Sequence, residues 1–270
     1  MSYFQNKVAI ITGSSRGIGF AIAKELIANG ALVMLNGRDE KRLQAAQSSL
    51  SYAADRIDSF AGDVAQEESA NALISACLER FGKIDFLINN VGVSSRGNIG
   101  NLSPSVFRLL FESNVMGSVC PTIAALPSIR KTKGSILFIS SLVAVHGLPG
   151  LAPYSASKMS LRGIVESLRI EEAKNQIHVG LIYASMTEIV SDKEAIAADG
   201  SKTVLASRSN RKVQSLQEVS KAVLKQLRKR TYLSILTPLG KINAFLQARF
   251  PLLVEKIIVK NLHKFEEGNK

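Results

Sequence analysis

With only two cysteines and no tryptophan in 270 residues, the sequence excludes a disulfide-stapled scaffold. Cys77 and Cys120 each lie among apolar residues at helical spacing and read as buried thiols, so no metal site is expected. Repeats and biased tracts are also missing, which removes solenoids and disordered segments from consideration. No continuous apolar run approaches the length a bilayer needs, and the first apolar segment opens close to Met1. The expectation is a cytoplasmic chain without a signal peptide. Acidic residues are few beside basic ones, 22 against 34, for a net charge of +12. Such a surface suits an anionic partner: a phosphorylated cofactor, an acidic carrier protein, a lipid surface or a nucleic acid. The basic residues are spread along the chain with no aromatic-interleaved stretch, so nucleic acid is set aside. A composition of 46% hydrophobic and 21% charged residues is that of one globular domain.

What is present begins at residues 7 to 29. Val8 to Ile11 is an apolar run of mainly branched side chains, the pattern of a strand buried on both faces. From Phe20 onward, Ile22, Ala23, Leu26 and Ile27 fall at helical spacing. Between the two, glycines at 13, 17 and 19 let the backbone turn tightly and approach a pyrophosphate, which the helix N-terminus would face. Gly13, Ser15, Arg16, Gly17, Ile18 and Gly19 are therefore the candidate phosphate cradle; an ordinary strand-to-helix turn is the competing explanation. A second run, Ala31 to Leu35, ends at Asn36-Gly37-Arg38. In a dinucleotide-binding unit an acidic residue here holds the ribose 2′-hydroxyl, whereas a nearby arginine accommodates a 2′-phosphate. Gly37 followed by Arg38, with Arg16 as a second cation, favours NADP(H) over NAD(H). Asp39 weighs against this, and either arginine also suits a solvated surface.

Glu40 to Leu50 reads as a helix and Arg56 to Ala61 as a third strand, ending in Gly62-Asp63-Val64. Asp63 stands at a ligand-binding strand end or serves as the helix N-cap before Gln66-Glu67-Glu68. Ala70 to Phe81 is a helix closed by Gly82, and Ile84 to Ile88 a fourth strand ending in Asn89-Asn90-Val91-Gly92. Repeated βα units of this kind predict a parallel sheet with right-handed crossovers. TGSSRGIG at 12–19, Gly62-Asp63-Val64 and NNVG at 89–92 together resemble the short-chain dehydrogenase/reductases, whose patterns are TGxxxGxG and NNAG. The resemblance adds Asp63, Val64, Asn90 and Gly92 to the cofactor-binding candidates. Val91, in place of the family's alanine, is expected to crowd the groove slightly.

Ser103 and Pro104 start a helix expected to reach about Ile129, kinked by Pro121, with Asn114 in its middle as a buried amide. Ser135 to Ser140 is a fifth strand that delivers Ser140 and Ser141 to the ligand-binding edge. Beyond it, Tyr154 and Lys158 are four positions apart at a helix start and share one face. That spacing alone is weak; coupled to the serines and the glycine turn it matches the family's active site at Asn114, Ser141, Tyr154 and Lys158. In such a site a tyrosine is the proton donor in ketone reduction and the base in alcohol oxidation. A neighbouring ammonium favours the ionised phenol, whose ordinary pKa is near 10. The resemblance further implies that Ser141 holds the substrate oxygen, that Lys158 also bonds the ribose, and that Asn114 positions a water leading to the lysine.

Ile177 to Ile182 is a sixth strand, after which the family has Pro-Gly and then a threonine for the nicotinamide carboxamide. Here Tyr183-Ala184-Ser185-Met186-Thr187 follows, and Thr187 is the candidate for that contact. Residues 188–215 are weakly periodic and read as a mobile substrate lid. Gln217 to Arg230 is a helix, Tyr232 to Leu236 a seventh strand, and 239–270 an amphipathic helical extension divided at Pro251. Its apolar stripe and interspersed basic residues suit packing against the domain or a second subunit, or membrane-surface contact through 239–264. The expected fold is a single doubly wound, Rossmann-like α/β domain with strand order 3-2-1-4-5-6-7. The expected function is NADP(H)-dependent interconversion of a ketone and a secondary alcohol on an apolar steroid, retinoid or long-chain substrate, in a homodimer or homotetramer. A 3-oxoacyl-carrier-protein reductase and a non-catalytic NADP(H)-binding sensor are the alternatives.

Overall fold

The computed structural model describes residues 2–188, 193–205 and 213–263. Seven strands form one parallel sheet: β1 (Val8–Ile11), β2 (Leu32–Gly37), β3 (Ile57–Ala61), β4 (Phe86–Asn89), β5 (Ser135–Ser141), β6 (His178–Ala184) and β7 (Leu233–Ile235). Their order is 3-2-1-4-5-6-7, as the sequence predicts. Because successive strand residues point to opposite faces, the sheet has two apolar sides. Ala9 and Ile11 meet Ile22, Leu26, Leu43, Val223 and Leu227 from helices α1 (Gly17–Ala28), α2 (Glu40–Ser48) and α7 (Leu216–Lys229). Val8 and Ile10 meet Leu73, Ile129, Leu161 and Val165 from helices α3 (Glu67–Phe81), α5 (Gly117–Thr132) and α6 (Ala152–Glu171). Each fully buried Leu or Ile of these layers contributes about 2 kcal/mol. The winding reverses between β1 and β4, so a crevice opens at the carboxyl ends of those strands. At the opposite edge buried Asp85 fixes the β1–β4 register, accepting from the Val8 amide at 2.9 Å and the Lys7 ammonium at 2.8 Å.

Four features differ from the expectations. Residues 104–132 form one helical rod, α4 (Pro104–Phe111) running into α5, but it widens into a π turn at Glu112–Met116 rather than at Pro121. This rod also contains an 18-residue window of mean hydropathy 1.3, of bilayer length by average hydropathy though not a continuous apolar run. Val106, Leu110, Thr122, Ala125 and Ile129 on the rod are buried, which is the behaviour of a core helix. Asp63 is not the cap of α3: that position is Gln66, and Asp63 instead accepts from the Ala65 amide at 3.1 Å in a local turn. Finally, the weakly periodic stretch contains strands. Glu194–Ile196 pairs antiparallel with Lys202–Val204 and parallel with Ser94–Ser95. Strands of two or three residues are too short to show a period of two. Of the expected lid, residues 189–192 and 206–212 lie outside the described residues.

Candidate active site

The glycine turn meets the requirements of a phosphate cradle by distinct routes. Gly13 and Gly17 hold positive φ angles of +61° and +59°, which a side chain would strain. Gly19 is needed for space: a Cβ there would lie 2.5 Å from Asn90 Nδ2 and 2.6 Å from the Gly13 carbonyl oxygen. The residue before α1 is Arg16, and no acidic side chain stands in the first turn, so the amides of Gly17, Ile18 and Gly19 and the positive helix end are unopposed by a local carboxylate. A dinucleotide pyrophosphate fits this arrangement. Asn90 braces the turn, donating to the carbonyls of Thr12 at 3.0 Å and Gly13 at 2.9 Å. The Val91 methyls extend toward Gly13 and Gly117, where added Cβ atoms would lie 3.1 Å and 3.3 Å away. The extra bulk of valine is thus accommodated partly by the missing side chain at Gly117.

Asn36, which sequence reasoning passed over, ties three strand ends together. Its Oδ1 accepts from the Gly13 amide at 3.3 Å, and its Nδ2 donates to the carbonyls of Phe60 at 3.2 Å and Gly62 at 3.1 Å. Beside it Gly37 adjoins Ser15, whose Oγ would stand 3.2 Å from an added Cβ. Arg38 is exposed and pairs with Asp63 at 3.5 Å. Arg42, one turn on and also unmarked in the sequence, pairs with Asp39 at 3.7 Å. Val64 is buried in the core, in the cluster of Val8, Ile10 and Leu73. The Glu194 carboxyl is held below the usual range first by its bond with Lys202, and also by the charges of Arg16 and Arg42. The short hairpin that carries Glu194 therefore lies within electrostatic range of Arg16 in the glycine turn.

On the other side of β1 the structure gathers Lys158, Asn114, Gly92 and the end of β5. Lys158 is 4% exposed, and its ammonium donates to the Ile139 carbonyl at 3.0 Å and the Val91 carbonyl at 3.5 Å. Burial, reinforced by the charge of Lys193, pulls its pKa down to about 8. Ser140 Oγ donates to the Lys158 main-chain carbonyl at 3.1 Å, so the two serines at the end of β5 divide the work. Ser140 fixes the helix, and Ser141 faces a cavity. Asn114 is fully buried; its Oδ1 accepts from the Val93 amide at 2.7 Å, and its Nδ2 donates to the Val93 carbonyl at 3.0 Å and Ser157 Oγ at 2.8 Å. Both amide hydrogens are therefore spent on positioning the Gly92–Val93 segment and α6. A Cβ on Gly92 would lie 2.9 Å from Lys158 Nζ and 3.3 Å from Asn114 Oδ1, so this residue is glycine because the lysine passes over it. Tyr154, one turn before Lys158, is half-buried with its ring against the cluster of Val106, Leu110 and Ile196 that also takes in Val93.

Where the family has Pro-Gly, β6 runs on as regular strand through Ala184, with Tyr183 beside Ser140 and Ala184 beside Ser141. Gln214 then holds the segment that follows: its Oε1 accepts from the Ser185 amide at 3.1 Å, and its main-chain N–H donates to the Met186 carbonyl at 2.8 Å. Thr187, 5% exposed, bridges to Gln214 in parallel fashion. Adjacent to Ser141 lies a cavity of about 330 Å³. Leu142, Val143, His146 and Leu148 wall it on the β5 side and Ser185 and Met186 on the β6 side; Asn243 and Ile258 close it from helices α8 (Pro238–Arg249) and α9 (Pro251–Lys260). Asn243 and His146 are hydrogen-bonded across it at 3.1 Å. These closing residues carry no signal in the linear order, because helical periodicity reports a buried stripe and not the neighbour that buries it. Among the described residues no group of His, Cys, Asp and Glu side chains could hold a metal ion.

Residues 7–200 match the sequence profile of the short chain dehydrogenase family. Bovine (Bos taurus) dehydrogenase/reductase SDR family member 7B is 30% identical across 97% of this chain and 83% of its own length. A 3alpha-hydroxysteroid dehydrogenase of Mediterraneibacter gnavus is 34% identical across 68% of this chain and 74% of its own. A Burkholderia phymatum short chain dehydrogenase/reductase, solved in complex with NAD, superposes with a TM-score of 0.81 over 94% of this chain and 96% of that one at 22% identity, a likeness of fold. With the profile covering most of the domain and a relative matching nearly its whole length, the chain belongs to the short-chain dehydrogenase/reductase family of nicotinamide-dependent oxidoreductases.

Proposed function

We propose that this chain interconverts a ketone and a secondary alcohol with NADP(H), on an apolar substrate such as a steroid, retinoid or long-chain ketone. The observation that carries the reading is the burial of Lys158 between the carbonyls of Val91 and Ile139, two residues before Ser141 and one helical turn from Tyr154. Among the described residues no carboxylate pairs with this buried ammonium, and it serves to stabilise negative charge developing nearby. The bound nicotinamide supplies or takes the hydride. Tyr154 donates the proton to the carbonyl oxygen in reduction and removes it in oxidation. Lys158 favours the phenolate that this leaves, and Ser141 donates a hydrogen bond to the same substrate oxygen. Asn114, through Ser157 and the Val93 backbone, keeps α6 and the Gly92 segment in register, and its expected role toward a water beside Lys158 belongs to this proposal. Thr187 is assigned the carboxamide.

NADP(H) is favoured by the absence of a carboxylate at Gly37 and by Arg38, Arg16 and Arg42 around the same strand end; Arg38 would exchange Asp63 for a 2′-phosphate. An apolar substrate is favoured by the walls of the Ser141 cavity, formed largely by Leu142, Val143, Leu148, Met186 and Ile258. The substrate lid of this reading is the stretch 188–215, whose described part includes the hairpin at 194–204. Exposed Ile123 on α5 and Ile170 on α6 favour self-association, which sedimentation equilibrium of an Ile123→Asp, Ile170→Asp variant tests by loss of the oligomer. The functional test is oxidation of NADPH and NADH against a panel of diketones, steroids, retinoids and oxoacyl thioesters. NADPH-linked turnover of apolar ketones is expected. Turnover confined to oxoacyl-carrier substrates would replace the substrate class with the one the +12 net charge also suits, and preference for NADH would overturn the cofactor.

A further inference from the structure

The last two helices have two unlike sides. Their inner side is anchored: Gly240 has no room for a Cβ, which would lie 2.7 Å from Leu142 Cδ2, Val254 is buried, and Asn243 bonds His146. The outer side is open. Leu239, Ile242 and Phe245 stand at i, i+3 and i+6 on α8 with 76%, 56% and 62% of their surface exposed. On α9, Leu252 and Val259 are 70% and 62% exposed. Single exposed apolar residues are ordinary, but a cluster of this density on two consecutive helices marks an interaction surface.

The charges beside the cluster choose its partner. Lys241, Arg249, Lys256 and Lys260 are all exposed, and Glu255 is the only acidic residue between 238 and 260, so the segment carries a net charge of 4 − 1 = +3. In a twofold contact this patch would meet itself, setting like charges against one another. An anionic bilayer surface offers the complement: apolar side chains enter the acyl boundary while lysine and arginine stems reach back to phosphate. We infer that α8 and α9 are a docking surface for anionic membranes, which brings the Ser141 cavity that they close to the bilayer interface. The outer residues Leu239, Ile242, Phe245, Leu252 and Val259 do not line that cavity, so failure of the surface and failure of the catalytic reading are separable.

The test is co-sedimentation of the full chain with vesicles of phosphatidylcholine alone and of phosphatidylcholine mixed with phosphatidylserine. Binding to the mixed vesicles is expected, weakened by salt and much weaker on phosphatidylcholine alone. Each basic residue near such a surface contributes about fivefold to partition, so Lys256→Gln with Lys260→Gln should lower it about 25-fold. Leu239→Ser with Phe245→Ser and Leu252→Ser should abolish binding while leaving the melting temperature nearly unchanged, since all three are exposed. A folded chain that ignores anionic vesicles overturns the inference, as does binding that neither variant weakens. A self-associated form that the triple serine variant dissociates, without vesicle binding by the parent, would assign the surface to a second copy and overturn it as well.

Discussion

Gly92→Ala is a small change with a large expected effect on turnover. The added methyl would sit 2.9 Å from Lys158 Nζ and 3.3 Å from both Lys158 Cε and Asn114 Oδ1. Ordinary contact begins at 3.4 Å, so the ammonium must retreat by about half an ångström. Its 3.0 Å bond to the Ile139 carbonyl would then approach the limit of a hydrogen bond. Overpacking of this kind costs about 1–3 kcal/mol when a core must yield. Here the yielding atom is the end of a flexible side chain, and the stability cost lies at or below about 1 kcal/mol. The functional cost is larger, because a misplacement of about 1 Å in a positioned catalytic group lowers rates by about 10²-fold. At saturating NADPH, with a ketone identified by the substrate panel, kcat should fall by about 10- to 100-fold while the melting temperature moves by only a few degrees. A Gly92→Ala enzyme within about threefold of wild-type kcat would refute the claim that the Lys158 position limits the reaction.

Lys158 has a pKa near 8, so the charge that supports the developing phenolate is present below that pH and is lost as pH rises through it. A kcat–pH profile for ketone reduction should therefore decline above about pH 8, and a flat profile to pH 10 would speak against the ammonium. Arg38→Ala should raise the NADPH dissociation constant by about tenfold or more and leave that of NADH nearly unchanged, as read by isothermal titration; equal effects on both would remove the 2′-phosphate role. Burial drives the His178 pKa down to about 4 from 6.5, which means the folded state resists its protonation. Stability is then unaffected above pH 6.5 and falls as pH drops toward 4, by about 2 kcal/mol between pH 7 and pH 5. Urea midpoints for wild type and His178→Gln should diverge at pH 7 and converge toward pH 5; parallel loss in both would assign the acid sensitivity elsewhere.

The sheet was legible because its strands are buried on both faces and its helices on one, two patterns that survive in the linear order. Val8 to Ile11 and the stripe of Ile22, Leu26 and Ile27 needed no partner to be recognised. The glycines were legible for a related reason: Gly13 and Gly17 answer to their own φ angles, which are local. Gly92 was marked by its motif, but its reason is a lysine 66 residues away whose ammonium would lie 2.9 Å from an added Cβ. Asn36, Ser157 and Gln214 were missed because each bonds backbone or amide groups distant in sequence, and an isolated polar residue carries no period. The same is true of the strand pairs at 94–95, 194–196 and 202–204, which exist only through one another. The π turn at Asn114 has a local trace in the amide and in Ser118, whose hydroxyl donates to the Asn114 carbonyl at 3.0 Å, but its position reflects the fit of Asn114 to Val93 and Ser157.

The proposed chemistry rests on a phenol as proton donor, and Tyr154→Phe addresses it with the loss of one oxygen atom. NADPH titration and turnover of the same ketone should be measured on wild type and variant together. The proposal requires unchanged NADPH affinity with turnover reduced by at least about 10²-fold. Turnover within about tenfold of wild type, with the cofactor bound, would contradict it.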